Sequence, residues 1–545
     1  MKHRVYSALR YMIVIGLVAA MLCSCLPVFA ADNGGTTYYV SANGTGDGLS
    51  EDAPMPLLTI NGTLLKGGDT VLFRRGDIFY GTFEPIVTNA NNTNRVDVGA
   101  YGNGEMPIFS NAKILKSSWK KETNGFYSFD LATDGNYGGV HNNDANVGFM
   151  EDKNGKKHGV RRQNAATCVN QYDFYCEGTV VYAKSTEDPY TVLGELRLAT
   201  HDNALIRAAS NMNIHDLHLQ DTGYGIVWGE SGDKNLHVYN CVIANVGGIV
   251  LGSQKEFVKA GNGIELYNKG TNVLIERNIF RDTYDVAFTC QGDTPGEWRN
   301  ITVKENIFIN NTQAIEFWCR SDKGISNLSF TDNICINQGG GWGTLARPNP
   351  ESATDVLAYL YYAPAWNMTI QNNTFFHTDL YGSAYYMPSA SLLSMRAKSK
   401  IDNNRYYFPQ ADGGFARWSQ GIGYSFTFEQ WKGTLTALDE KGTVTHDANS
   451  TMTAVGSGTE QHKAMVNIAA TSLNFYEIFQ AVKAADVYVP FTMEEPITPN
   501  APGNDGSSLL LWLAIGGGVV LAVVVVVVVL MVAGKKKKAV AQEEK

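Results

Sequence analysis

From about Asn211 to Tyr407 the chain repeats one short pattern. It reads Asn272-Val-Leu-Ile-Glu-Arg-Asn278-Ile-Phe280, then Asn300-Ile-Thr-Val-Lys-Glu-Asn306-Ile-Phe308, then Asn327-Leu-Ser-Phe-Thr-Asp-Asn333-Ile-Cys335, then Asn367-Met-Thr-Ile-Gln-Asn-Asn373-Thr-Phe375. Looser copies run from Asn235 to Ile243 and from Asn211 to Leu219. The copies recur at intervals of roughly 24–40 residues, the spacing of architectures in which each unit buries its apolar face against its neighbours. Such a chain grows in one dimension, which suits a body from Ala31 to about Ser450 that is long for one globular core.

Within each copy the alternation has period two: Val273, Ile275, Ile301 and Val303 face one way, Leu274 and Thr302 the other. Short strands, Asn- and Gly-rich turns and scarce hairpin dipeptides predict an all-β, right-handed parallel β-helix solenoid rather than a sandwich or propeller. Stacked coils bring Asn278, Asn306, Asn333, Asn373 and Asn404 above one another at a tight bend, with Cys241 in the same column one coil earlier. Asn tolerates left-handed backbone there, and its amide can bond the Asn of the next coil. Asn300, Asn327 and Asn367 also match the glycosylation sequon, which here falls out of the repeat itself.

The ends of the chain place it. Residues 1–30 read as a signal peptide: Lys2, Arg4 and Arg10, an apolar core from Tyr11 to Leu22, and small residues before a cleavage after Ala30. A lipoprotein signal around Cys23 is the alternative. Residues 509–533 carry no charge, and roughly 25 residues at about 1.5 Å each cross a bilayer. Lys535 to Lys538 follow, so residues 534–545 read as a cytoplasmic tail. The expected protein is single-pass, with its body outside a plasma membrane, at a bacterial cell surface. Residues 31–116 are read as the N-terminal cap and first coils, 117–200 as an inserted β-rich segment, 201–450 as the main helix, and 451–508 as a stalk with a short helix around Leu473–Ala485. A formal net charge of −9 leaves no basic stripe for nucleic acid. The cysteines show no zinc spacing; Cys168 with Cys176, and Cys290 with Cys319, are candidate pairs.

Tyr38-Tyr-Val-Ser-Ala-Asn-Gly-Thr-Gly46, Gly67-Gly-Asp-Thr-Val-Leu-Phe-Arg-Arg-Gly76 and Ala100-Tyr-Gly-Asn-Gly-Glu-Met-Pro-Ile108 resemble the opening coils of secreted right-handed parallel β-helix proteins of the pectate-lyase-like superfamily. The resemblance implies a carbohydrate-active protein. It does not name a reaction, because the superfamily includes lyases, glycoside hydrolases, esterases, epimerases and phage adhesins. The pectate lyases' signature motifs have no convincing copy here. The inserted segment departs from the coil pattern and is read as one wall of a groove.

Chemistry is expected on the strand after each Asn strand. Aligning Gly263-Ile-Glu-Leu266, Asp285-Val-Ala-Phe288 and Ala314-Ile-Glu-Phe317 puts Glu265, Ala287 and Glu316 outward, with Asp285 on the same face. With strands about 4.8 Å apart, Glu265 and Glu316 are separated by roughly 9–10 Å and Asp285 lies about 8 Å from either. Inverting glycosidases place their carboxylates about 6.5–9.5 Å apart. Trp228, Trp318 and Trp342 offer faces for sugar rings, and Arg320 and Arg347 offer partners for acidic sugars. The leading expectation is a membrane-anchored glycoside hydrolase acting on extracellular polysaccharide, with Glu265, Asp285 and Glu316 catalytic and no cofactor. A lyase of acidic glycans would instead take a base from Arg277, Arg281, Lys255 or Lys259, with Ca²⁺ on Asp282 and Asp285. A non-catalytic glycan-binding adhesin is the third reading; it would leave the acidic patch flat and open.

Overall fold

The computed structural model describes residues 34–132, 145–200, 204–228, 234–251, 257–292, 297–319, 325–348, 352–360, 368–378, 382–388, 399–409, 414–420, 422–438, 447–471 and 473–493. The leader at 1–30, the apolar run at 509–533, the tail at 534–545, Lys255 and Arg320 lie outside the described residues. Among those described, no helix is long and apolar enough to cross a membrane.

The chain winds as a parallel β-helix. One coil runs Gly270–Glu276, Ile279–Thr283 and Val286–Gly292 before Trp298–Lys304 begins the next. Each of the three strands joins its own long sheet, and among the described residues those sheets hold ten, ten and nine strands. Pairing between coils is parallel and in register: Ile275 faces Val303, which faces Phe330. β-branched residues at alternate positions favour this pleated, half-buried geometry. Val273, Ile275, Ile301, Val303, Leu328 and Phe330 line one continuous core, joined from the second sheet by Phe280, Phe308 and Phe375. Phe280 stacks on Phe308 with ring centroids 4.9 Å apart. Each such side chain contributes about 1.5–3 kcal/mol through burial.

The buried asparagine column forms as a ladder. Asn278 Nδ2 donates to Asn306 Oδ1 at 3.0 Å, Asn306 to Asn333, Asn333 to Asn373 and Asn373 to Asn404, each at 3.1 Å. The left-handed residue, however, is not the ladder Asn but the one before it: Arg277, Glu305, Asp332, Asn372 and Asn403 have φ between 54° and 58°. The turn needs one residue with positive φ, and the ladder Asn, just past it, is free to aim its amide into the bend. A second, more exposed ladder runs through Asn211, Asn235, Asn272, Asn300 and Asn327, all with positive φ. The Asn300 and Asn327 amides are thus already hydrogen-bonded.

Between Ile108–Ser110 and His218–Thr222, which pair directly, the chain leaves the helix. It builds two small antiparallel sheets of three and four strands around a separate core of Trp119, Val147, Met150, Phe174, Val181 and Leu198. This segment is fastened to the helix by Arg197 on Asp221 at 3.0 Å and by reciprocal 2.9 Å bonds between the Asn146 side chain and the Val250 backbone. The backbones meet flush: a Cβ on Gly148 would fall 2.0 Å from the Gly247 carbonyl oxygen.

The reading of 451–508 as a stalk is corrected by what the chain does up to Val489. Thr451–Ala454 is the last strand of the second sheet, paired with Arg405–Phe408. Helices Glu460–Thr471 and Phe475–Ala484 pack Met465, Ile468, Ile478 and Val482 against Ile279, Ile307, Ile334, Ile336 and Phe376 on that sheet's outer face. An apolar outer face demands a cover, and these helices supply it. A third helix, Phe428–Leu438, closes the end of the core, with Trp431 stacked on Tyr385 at 4.7 Å.

The proposed cysteine pairs do not form as read. Cys168 and Cys176 are not joined as a disulfide: Cys168 Sγ bonds the Asn164 carbonyl, and Cys176 lies against the Arg161 guanidinium. Cys290 has Phe317 as its register partner, and Cys319 has Gly292.

Candidate functional site

The third sheet sets the site. Ile264 and Leu266 are in the core, so Glu265 between them lies on the outer face of Ile264–Tyr267. Glu265 pairs with Thr289, and Thr289 with Glu316. One strand therefore separates the two glutamates, but its residue in the column is Thr289, two places beyond the Ala287 that sequence alignment put there. The central strand, Val286–Gly292, meets its neighbour with Phe288 opposite Ile264, and that shift carries Thr289 into the acidic column. Thr289 Oγ1 donates to Glu316 Oε2 at 3.1 Å, and Asn262 Nδ2 donates to Glu265 Oε2 at 2.8 Å.

Although on the outer face, neither glutamate is open to solvent: Glu265 is 6% exposed and Glu316 9%. Burial pushes Glu265 up to about 7, its bond from Asn262 opposing and the charge of Asp285 adding to the rise. Burial also raises Glu316 well above the carboxylate range, reinforced by Asp285 and Glu265 and opposed by Thr289 and Arg347. Tyr224 titrates far above its ordinary range, through burial and the same two acids, Glu265 and Asp285.

Asp285 immediately precedes the central strand and is held from outside. Arg347 Nη1 lies 2.6 Å from Asp285 Oδ1 and 3.1 Å from the Tyr284 carbonyl, with its guanidinium over the Tyr284 ring. Arg347 reaches this point because the segment after Ile334–Ile336 turns through a one-turn helix, Trp342–Leu345, back over the preceding coils. Glu265, Asp285, Glu316 and Arg347 are thereby gathered in one cluster.

A cavity of about 610 Å³ opens beside Arg347, between the inserted segment and the helix. Arg161, Arg162, Lys259, Tyr284 and Phe257 also line it. Lys259 Nζ donates to the carbonyls of Ala346 at 2.9 Å and Arg161 at 3.2 Å. Burial, with the nearby charges of Arg162, Arg161 and Arg347, lowers its amine to about 7.

The tryptophans divide. Trp318 is partly exposed and two residues beyond Glu316, hence on the same face of the strand. Trp342 is a fastener: its ring packs on Phe149 of the inserted segment at 4.9 Å, and its Nε1 donates to the Asp282 carbonyl. Trp228 pairs in register with Leu266. Of the lyase candidates, Arg277 is occupied by Glu305, and Arg281 bonds Asp282 and the Ala469 carbonyl. Among the described residues no group of three or more His, Cys, Asp or Glu is placed to hold a metal ion. Sequence reasoning missed Asn262, Thr289 and Tyr224. Asn262 lies three residues before Glu265, a local signal; Thr289 and Tyr224 join the site only through coil stacking.

No family model matches the chain, and no curated protein sequence does. Among solved structures, it is similar to XylC in complex with xylose (9% identity, 72% of this chain and 73% of that one, TM-score 0.42). A GH136 lacto-N-biosidase from Eubacterium ramulus (13%, 68% and 63%, TM-score 0.29) and a rhamnogalacturonan lyase (13%, 72% and 79%, TM-score 0.32) are also similar. The fold assignment rests on the sheet topology, not on these likenesses.

Proposed function

We propose that this protein processes extracellular polysaccharide, as a glycoside hydrolase that uses Glu265 and Glu316. The observation that carries the reading is the buried Glu265–Thr289–Glu316 column beside the Arg347-bound Asp285. Glu316, kept protonated at neutral pH, gives its proton to the glycosidic oxygen as the bond to the anomeric carbon breaks. Glu265, poised near neutrality, takes a proton from the water that adds to that carbon. Strand spacing sets their backbones roughly 9–10 Å apart, which leaves room for the water of an inverting reaction. Asp285 raises both groups, and Arg347 fixes Asp285. Trp318, partly exposed on the face of Glu316, offers a ring to a sugar. The leader at 1–30 and the apolar run at 509–533 support tethering of a right-handed helix at the cell surface, where a polymer is met first.

One observation favours a second reading. Lys259 lies in the cavity with an amine near neutrality, so it can abstract the proton α to a uronate carboxyl while Arg347 offsets the carboxylate's charge. The electron pair then forms a carbon–carbon double bond as the bond to the glycosidic oxygen breaks; Lys259 keeps the abstracted proton and the leaving oxygen takes one from water.

The test is an assay of the purified full-length protein on neutral and acidic polysaccharides, with and without Ca²⁺. New reducing ends and the ultraviolet absorbance of an unsaturated uronate are followed together. Hydrolysis without absorbance, lowered about 10²–10⁴-fold by Glu316→Gln, is expected. Absorbance that survives Glu316→Gln and vanishes in Lys259→Met assigns the lyase instead. Silence on every polymer, with retained binding, leaves a glycan-binding scaffold.

A further inference from the structure

We propose that the cavity between the inserted segment and the helix is a subsite for an anionic substituent of the glycan, a carboxylate or a sulfate ester. The proposal rests on the polysaccharide reading above and specifies which polymer the site accepts.

The charges around the cavity do not balance. Arg162 is paired with Asp173 at 3.0 Å, and Arg347 with Asp285 at 2.6 Å. Lys259 and Arg161 have no carboxylate partner among the described residues. Lys259 spends its bonds on two neutral carbonyls, which leaves one N–H of the ammonium for a ligand. Arg161 is 2% exposed; its Nη1 meets the Val147 carbonyl and the Cys176 sulfur, while Nε and Nη2 are buried without a partner among the described residues. Among the described residues, four cations of the cavity thus share two carboxylates.

The shape agrees with the charge. About 610 Å³ is within the range of small-ligand clefts. The ammonium stands 5.3 Å from the Tyr284 ring centroid and 5.8 Å from that of Phe257, so flat apolar faces flank the cation, as a pyranose ring bearing one charged group requires. Arg347 belongs to both the cavity and the acidic cluster. A charged sugar held here therefore lies next to the residues proposed to cleave its neighbour. The depressed amine of Lys259 fits an anion subsite: an incoming anion would offset the neighbours that push its proton off, and its titration would move back up.

The decisive experiment is calorimetric titration of full-length protein carrying Glu316→Gln, which stops the proposed hydrolysis, with three probes whose integrity is checked afterwards: a galacturonate oligomer, a sulfated galactose oligomer and a neutral galactose oligomer. A charged probe is expected to bind about tenfold or more tighter than the neutral one. Lys259→Met should remove that advantage by weakening the charged probes about tenfold more than the neutral one, and Lys259→Arg should restore it. Whichever charged probe binds tighter names the substituent. Should Lys259→Met not fold, the Lys259 amine is titrated by NMR in the otherwise unchanged protein, where the charged probe must raise its pKa. Equal binding of charged and neutral probes, or an amine that does not respond, overturns the subsite. The two readings fail separately: Lys259-dependent binding without turnover sinks the hydrolase alone, and cleavage of neutral polymer with no preference for charge sinks the subsite alone.

Discussion

At Glu265 the folded protein works against its own ionisation. The group titrates near 7 in the folded state, above the roughly 4.3 of a free glutamate. Between those values the native state binds the extra proton, so this residue's contribution to stability falls as pH rises from about 4.3 to about 7, and its cost is fully present above that. Glu265→Gln should therefore raise stability at pH 8 by up to about 3 kcal/mol and change little at pH 4, as measured by denaturant unfolding at the two values. A gain of equal size at both pH values would refute burial of the charge. The outward parity of Glu265 and Glu316 was legible in the sequence because alternation alone fixes it. The partner in their column was not, since register depends on how many residues the corner before Val286 consumes. Their burial was also hidden, because alternation does not separate a covered outer face from an open one.

Among the elements, the asparagine ladder is where sequence and structure agree most closely. Each rung closes bonds that no other side chain of its size can close. Asn306 Nδ2 serves the carbonyls of Ile275 and Lys304, and its Oδ1 accepts from the backbone and side chain of Asn278. Asn306→Ala strands several buried groups at about 1–3 kcal/mol each, so a loss of about 3 kcal/mol or more is expected in chemical unfolding, with Asn306→Asp only partly relieving it. A loss under about 1 kcal/mol, the size of one exposed hydrogen bond, would mean the column is not structural. The two apolar residues that follow each rung, as in Ile307-Phe308, carried a message that period-two reading passed over. Phe308 faces the core and Ile307 the opposite side, so the pair announces a sheet covered on both faces.

For the whole molecule, that second face gives the segment after Ser450 a role that its composition conceals. Its composition is polar, and each helix offers the sheet only a narrow apolar stripe, enough to cover a face but too little to suggest a core. Ending the chain after Gly458 should bare Ile279, Ile307, Ile334 and Phe376 together. The shortened protein is expected to bind a hydrophobic dye and to scatter light at concentrations where the full chain stays clear; an equally soluble product would show that the helices are dispensable.

The ladder also has a direction. The backbone N–H of Asn278 donates forward to Asn306, that of Asn306 to Asn333, and so on to Asn404, whose N–H ends on Ser450 Oγ. No coil is saturated until the one after it arrives. A chain that is laid down from its N-terminus therefore always carries one hungry corner at its growing end, ready to accept the next coil or the matching coil of another molecule. Asp447, Ser450 and Trp431, joined by bonds of 2.6 and 3.0 Å to Asp447, close that corner. That last turn is thus a stopper, which leaves the ladder no open corner to offer to another molecule.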